Sequence, residues 1–299
     1  MDGILFLVTC LFAGILLQKR LGPKGAEVLN SFIIYFFLPL LAFHQVPLIH
    51  FEWQLAWLTV VPFFVFGTSL LVNSLAARVF GFDRDTEAAL VLTGGIGSTS
   101  FVGFPIFEML YGEIGLAYGI IMSLGGTILV FNTVGLATLF HYTKSGKSWI
   151  DTASSILTFP PFLAFLVALV MNLFNLNFPT MIQSLLARLV SPFSVVALLS
   201  VGLQVKPGDI RGVGVPLLVG QTIKLLIIPL IVYLVLWRVM GRQDLVAKVC
   251  ILGAAIGSMS SVSILAAQRG LNPQLSLLMP AVGIPLSIPL LYLLEMLLS

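Results

Sequence analysis

Apolar residues fall in long runs, separated by short clusters of charge, glycine and proline. In chain order the runs predict ten membrane spans, approximately 3–18, 27–47, 53–80, 86–111, 114–142, 153–174, 180–204, 212–240, 245–270 and 274–298. A helix needs about 20 residues to cross a bilayer, and each run is close to that length. The third and eighth are long enough to tilt, while the first is short. The expected fold is an all-α membrane protein of ten transmembrane helices.

Two of these runs are interrupted in the same way. The fourth contains Gly94-Gly95-Ile96-Gly97-Ser98-Thr99-Ser100-Phe101-Val102-Gly103-Phe104-Pro105, a poor recipe for continuous helix. In the ninth, 160 positions later, Ile256-Gly257-Ser258-Met259-Ser260-Ser261-Val262-Ser263 repeats the Ile-Gly-Ser of Ile96-Gly97-Ser98. Upstream, Arg78-Val79-Phe80-Gly81 recurs at the same offset as Arg238-Val239-Met240-Gly241. The segment 143–152 is the longest polar linker and divides the chain into a first repeat, 1–142, and a second, 153–299, of five spans each. An odd number per half makes the second enter from the opposite face, which predicts a 5+5 inverted repeat with broken, crossing fourth and ninth helices. Paired broken segments at matching places in two halves point to the binding site of a transporter.

Composition confirms the membrane setting. The chain of 299 residues is 59% hydrophobic and 9% charged, with a mean hydropathy of +1.09. Soluble domains average about 25% charged residues. The net charge of +3 does not point to nucleic acid, because the basic residues lie between the runs as topology signals. With the N-terminus outside, Lys19, Arg20, Lys24, Arg78, Arg84, Lys144, Lys147, Lys206, Arg211 and Arg269 fall inside, against Arg238, Arg242 and Lys248 outside. This bias predicts that both termini lie outside a cell (inner) membrane. Asp2 before the first run and Lys19 after it read as an N-out span rather than a cleaved leader.

Hydrocarbon offers no partners to free backbone groups, so the two breaks must be buried in protein or line a cavity. Each exposes half-helix N-termini, whose N–H groups and dipoles favour an anion. The expected substrate-binding residues are Gly97, Ser98, Thr99, Ser100, Gly103 and Pro105 from the first break and Gly257, Ser258, Ser260, Ser261 and Ser263 from the second. No acid lies in either break, which suits a small organic anion such as a carboxylate. Glycine and serine also let membrane helices pack closely, but their recurrence in register favours a binding crossover. Lys224 completes the set. It lies mid-span, where a lysine costs at least about 2.5–3.5 kcal/mol; it either draws the anion in or bonds helix carbonyls. Its repeat mate is Phe64, so the charge is one-sided. Asn30, Asn73, Asn132, Gln204 and the His44-Gln45 pair read as helix–helix hydrogen bonds.

Catalytic chemistry finds no support. His44, His50 and His141 are scattered, and Cys10 and Cys250 are far apart in apolar runs, so no cofactor or metal is expected. A membrane-embedded enzyme would need an acid–base pair or a nucleophile set in one plane, and the sequence supplies none.

Several stretches carry a resemblance to a known family: Asn30 to Phe43, Phe101-Val102-Gly103-Phe104-Pro105-Ile106, Tyr111 to Tyr118, Ile223-Lys224-Leu225 with Pro229, and Ile264 to Gly270. Together they resemble the auxin efflux carrier family over essentially the whole chain. The resemblance implies a fold shared with bile-acid/sodium symporters. Spans one, two, six and seven would form a scaffold, and the other six a transport domain moving as an elevator. It also implies an anionic substrate (auxin in plants, malonate or malate in bacteria) and a homodimer. Family members commonly carry asparagine in the crossovers; here Ser98 and Ser261 stand near those positions, and Ser258 stands near a usual proline. The expected function is therefore a secondary efflux carrier for a small organic anion, driven by membrane potential. A sodium- or proton-coupled symporter is the alternative.

Overall fold

The computed structural model describes residues 2–50, 52–143, 159–205 and 210–298. The linker beyond Thr143, with Lys144, Lys147 and Lys206, lies outside them. Among the described residues every regular element is helical, and seven helices are long and apolar enough to cross a membrane. Two shorter apolar helices, Pro160–Leu173 and Leu245–Ala254, accompany them. The difference from ten expected spans has three parts. Helical turns run on from Thr99 to Thr143, joining the fourth and fifth expected spans. The ninth is interrupted, with Leu245–Ala254 before the break too short to cross. The sixth, expected at 153–174, is described only from residue 159, with its helix Pro160–Leu173.

Helix α1 (Asp2–Phe32) is split at Gly22, whose φ of 58° and ψ of −165° divide the apolar lengths Leu5–Gly22 and Lys24–Leu48. The second length widens at Ile33–Phe37 before α2 (Leu38–Gln45), where Leu38 N bonds Ile33 O. Pro39 brings no N–H to this turn, and the wider spacing accommodates it. Helix α3 (Ala56–Phe80) ends on left-handed Gly81, and Asp83 then caps α4 (Arg84–Gly95) by accepting from Thr86 N at 2.8 Å. Helix α5 (Phe104–Ile120) turns at Gly112, with φ 65° and ψ −152°, a conformation that suits glycine. Widened turns at Ile121–Thr127 and Phe131–Gly135 lead to α6 (Leu136–Thr143).

The second part of the chain contains α7 (Pro160–Leu173), α8 (Thr180–Val190), α9 (Phe193–Gln204) and α10 (Gly214–Thr222). A widened turn, Ile223–Ile227, joins α10 to α11 (Ile228–Tyr233). After left-handed Gly241, Asp244 caps α12 (Leu245–Ala254) by accepting from Ala247 N at 2.8 Å. Helices α13 (Ser260–Gln268) and α14 (Pro273–Leu298) complete the chain, with Pro280, Pro285 and Pro289 inside α14.

Helices α1 and α9 approach until backbone meets backbone. A Cβ placed on Gly14 would stand 2.8 Å from the Cα of Gly202. Beside this contact, Gln18 Nε2 donates to Gly202 O at 2.7 Å and Val205 O at 2.6 Å. These carbonyls lie at the end of α9, where the helix supplies no further turn; Gly202 O also accepts from Val205 N at 3.3 Å. Asn172 at the end of α7 likewise bonds the chain just after α2, reaching Val46 O at 2.9 Å and Ile49 O at 2.6 Å. Gln18→Leu is expected to cost about 1–3 kcal/mol, the penalty for leaving a partly buried carbonyl, here Val205 O, unpaired. A melting curve of the purified protein checks it, and an unchanged midpoint would mean that water caps α9 instead.

Candidate functional site

Where α4 ends at Gly95, the chain runs extended through Ile96 and re-enters helical turns at Thr99. Where α12 ends at Ala254, it opens through Gly257 and re-enters helix at Ser260. The two openings meet. Gly97 and Ser258 form an isolated antiparallel bridge, closed by Ser98 N donating to Gly257 O and Met259 N donating to Ile96 O, both at 2.9 Å. Each unwound segment thus supplies the other's backbone partners, as a nonpolar setting requires.

Close packing holds the pair in place. Ser69 on α3 donates to Val91 O of α4 at 2.9 Å, and Gly94 leaves room for the Asn73 amide. Gly257 rests on the backbone of α14, where an added Cβ would lie 2.6 Å from Gly283 C and Ile284 N. Gly103 packs on Ile256, and buried Pro105 sits in the first turn of α5.

Lys224 lies in the widened Ile223–Ile227 turn, fully buried, and its Nζ has no hydrogen-bond partner. It lines a void of about 10 Å³ with Gly95, Gly97, Thr99, Thr127 and Gly253. A second void of similar size, about 10 Å³, lies against Ser98, Thr99, Ser100 and Ser123, and neither void is lined by an acid. Ser258 Oγ is also buried without a partner. Ser100 is engaged with Ser123 at 2.5 Å, and Ser263 Oγ donates to Met259 O at 3.2 Å in the first turn of α13. So Gly97, Ser98, Thr99, Gly257, Ser258 and Lys224 gather at one point, and Ser100 and Ser263 border it with their hydroxyls used locally. Ser261 is exposed and faces away.

Ser260 opens on a different space. It lines a cavity of about 420 Å³ with Glu27 and Asn30 of α1, Leu203 and Gln204 of α9 and Gln274 of α14. Asn30 Oδ1 accepts from Ser200 Oγ at 2.5 Å and from Gln204 Nε2 at 3.2 Å, so these residues bond one another as expected. They also wall the cavity, a role the sequence did not reveal. Ser123, Thr127 and Gln221 were missed as well. The signals available were the small-residue run Ser123-Leu124-Gly125-Gly126-Thr127 and the placement of Gln221 three residues before Lys224. Gln221 Nε2 donates to Met279 O at 2.8 Å, while its Oε1 has no partner.

Apolar helices around a buried polar centre define an integral, multi-pass membrane protein, and the comparisons make it a transporter. Residues 3–294 match the family described as membrane transport protein, and the chain belongs to this family, that of the auxin efflux carriers. An uncharacterized transporter of Methanocaldococcus jannaschii is 26% identical over 221 residues, covering 71% of this chain and 70% of that protein. An uncharacterized transporter of Methanothermobacter thermautotrophicus is 27% identical over 259 residues, covering 85% and 83%.

Proposed function

We propose that the protein is a secondary carrier that exports a small organic anion, a carboxylate, across the cell membrane by alternating access. The observation that carries this reading is the paired opening at Gly97 and Ser258, where Lys224 Nζ and Ser258 Oγ stand buried without partners and no acid lines the adjoining voids. Such a centre has positive charge and hydroxyls to offer, and nothing negative but backbone.

The voids at the centre are water-sized. Ligand pockets for small molecules run to about 300–1,000 Å³, and the 420 Å³ cavity at Ser260 falls in this range. The anion enters there, between Asn30 and Gln204 on one wall and Ser260 on the other. It then reaches the N-terminal turn of α13.

We read the chain as ten spans in a 5+5 inverted repeat, 1–142 and 153–299, with fourth and ninth spans broken and crossing. Features recurring about 160 residues apart support this: left-handed Gly81 and Gly241, the caps Asp83 and Asp244, and the two openings themselves. Spans one, two, six and seven form the scaffold, and the bonds of Gln18 and Asn172 support their association. The remaining six spans form the moving domain of a homodimer whose protomers have both termini outside. In that orientation the 420 Å³ cavity opens inward. The membrane potential suffices as driving force, because an anion leaving an inside-negative cell gains about 2.3 kcal/mol per 100 mV.

A thermal-shift panel of mono- and dicarboxylates on the purified protein tests the ligand class. Counterflow in proteoliposomes, with potassium and valinomycin setting the voltage, tests the mechanism. Saturable stabilisation by a carboxylate and voltage-dependent exchange are the expected results. Stabilisation by cations alone, or exchange that requires Na⁺, overturns the reading.

A further inference from the structure

We propose that Lys224 is the carrier's own cation, occupying the place between the two breaks that a coupling sodium ion would otherwise fill. This rests on the transport reading above and adds the reason the carrier needs no coupling ion.

The junction has a second electrostatic character besides its N-terminal turns. Helices α4 and α12 both reach it with their C-terminal ends, at Gly95 and Ala254. A helix C-terminus carries the equivalent of about half a negative charge. At α12, Leu252 O and Gly253 O accept from Ala255 N at 3.0 Å and Ile256 N at 3.4 Å, and a carbonyl so used keeps a second lone pair for a cation. Two such ends at one place attract a cation. Gly95 and Gly253, from those ends, line the void that Lys224 also lines. A methyl group placed on Gly97 would stand 3.3 Å from Ile256 O and 3.5 Å from Lys224 Nζ, so the amine and that carbonyl both stand against Gly97.

Size and symmetry point the same way. The void of about 10 Å³ has room for a single water beside the amine, and a second cation with its oxygen ligands does not fit there. The charge enters from one repeat only, since Phe64 stands at the matching position of the other. Each protomer therefore carries one built-in positive charge. Thr99 and Thr127 lie on the same void. The Thr99 hydroxyl and one water can bridge the ammonium to the carbonyl ends. Thr127, whose hydroxyl donates to Met122 O at 3.3 Å, can accept from the ammonium. With that arrangement a fully buried lysine has negative partial charge to face although no carboxylate lines its void.

The test needs no substrate, so it stands whether or not the carboxylate panel finds a ligand. Full-length wild type, Lys224→Ala and Lys224→Met are melted in choline chloride, sodium chloride and ethylammonium chloride. Wild type is expected to melt at one temperature in all three. Lys224→Ala should melt lower in choline and recover with a saturable rise of about 5 °C or more in sodium or ethylammonium, because binding to the native state stabilises it. Lys224→Met fills the space without charge and should respond to neither cation. The proposal is overturned if wild type is stabilised by sodium over choline, if Lys224→Ala is indifferent to all three salts, or if Lys224→Met responds as the alanine variant does. Failure of Lys224→Ala to fold in any of the three salts overturns it equally, since the added cation should restore the fold.

Discussion

Gly257→Ala is expected to abolish transport and to destabilise the protein by about 3 kcal/mol, at the upper end of what overpacking costs. The added methyl would stand 2.6 Å from Gly283 C and Ile284 N and 2.8 Å from Gly283 O. All three are backbone atoms of α14, so no side chain can swing aside. The strain falls on the Gly97–Ser258 bridge, because Gly257 O accepts the bond from Ser98 N. Moving Gly257 off α14 therefore pulls on both openings at once. Gly67→Ala on α3 is the control, since a Cβ there meets nothing within 4 Å. In a helix interior that change should be neutral or gain up to about 1 kcal/mol. Heating followed by size-exclusion chromatography reads the stability, and proteoliposome exchange reads the transport. A Gly257→Ala protein that melts with wild type would mean that α14 does not press on the opening.

Much of this centre could be read from the chain because membranes punish irregular backbone. Glycine, serine and proline at 94–105 and 256–263 stand out against apolar neighbours, and their recurrence in register marks two matching places. What the pattern does not carry is pairing. That Ser98 bonds Gly257, and Met259 bonds Ile96, depends on two segments meeting in space. Nor does a list of hydroxyls say where they point. Once α13 begins at Ser260, successive residues turn by about 100°. Ser260 then faces the cavity, Ser261 faces outward and Ser263 bonds its own helix at Met259 O. A break has two ends: the serines mark the N-terminal one, while nothing in residue identity marks which backbone carbonyls at Gly95 and Ala254 face the junction. Glycine in apolar runs is least legible of all, because nothing in its neighbours' identity marks a contact such as that of Gly14 with Gly202.

Gly202→Leu at that contact is expected to be the most disruptive change outside the centre, costing about 3 kcal/mol or more. A Cβ on Gly202 would lie 2.8 Å from Gly14 Cα and closer still to Leu11 O. Leucine there must push α9 off α1 as a whole. The displacement also strips Gly202 O and Val205 O of Gln18, their side-chain partner on α1. Gly202 O keeps its bond from Val205 N, but Val205 O loses its partner, which adds to the cost of lost packing. Gly214→Leu, where the nearest atom to a new Cβ is Ile210 Cγ2 at 3.6 Å, should leave the melting temperature nearly unchanged. The two glycine sites also separate scaffold from centre. Gly202 precedes Leu203 and Gln204, which line the 420 Å³ cavity. The milder Gly202→Ala is therefore expected to lower the melting temperature and, through that wall, to weaken the apparent affinity for a stabilising carboxylate only in part. Any Gly257 variant that still folds should lose that affinity, because it displaces the backbone that lines the site. Equal loss of affinity at both positions would place the anion's main contacts on the α1–α9 wall of the cavity rather than at the openings.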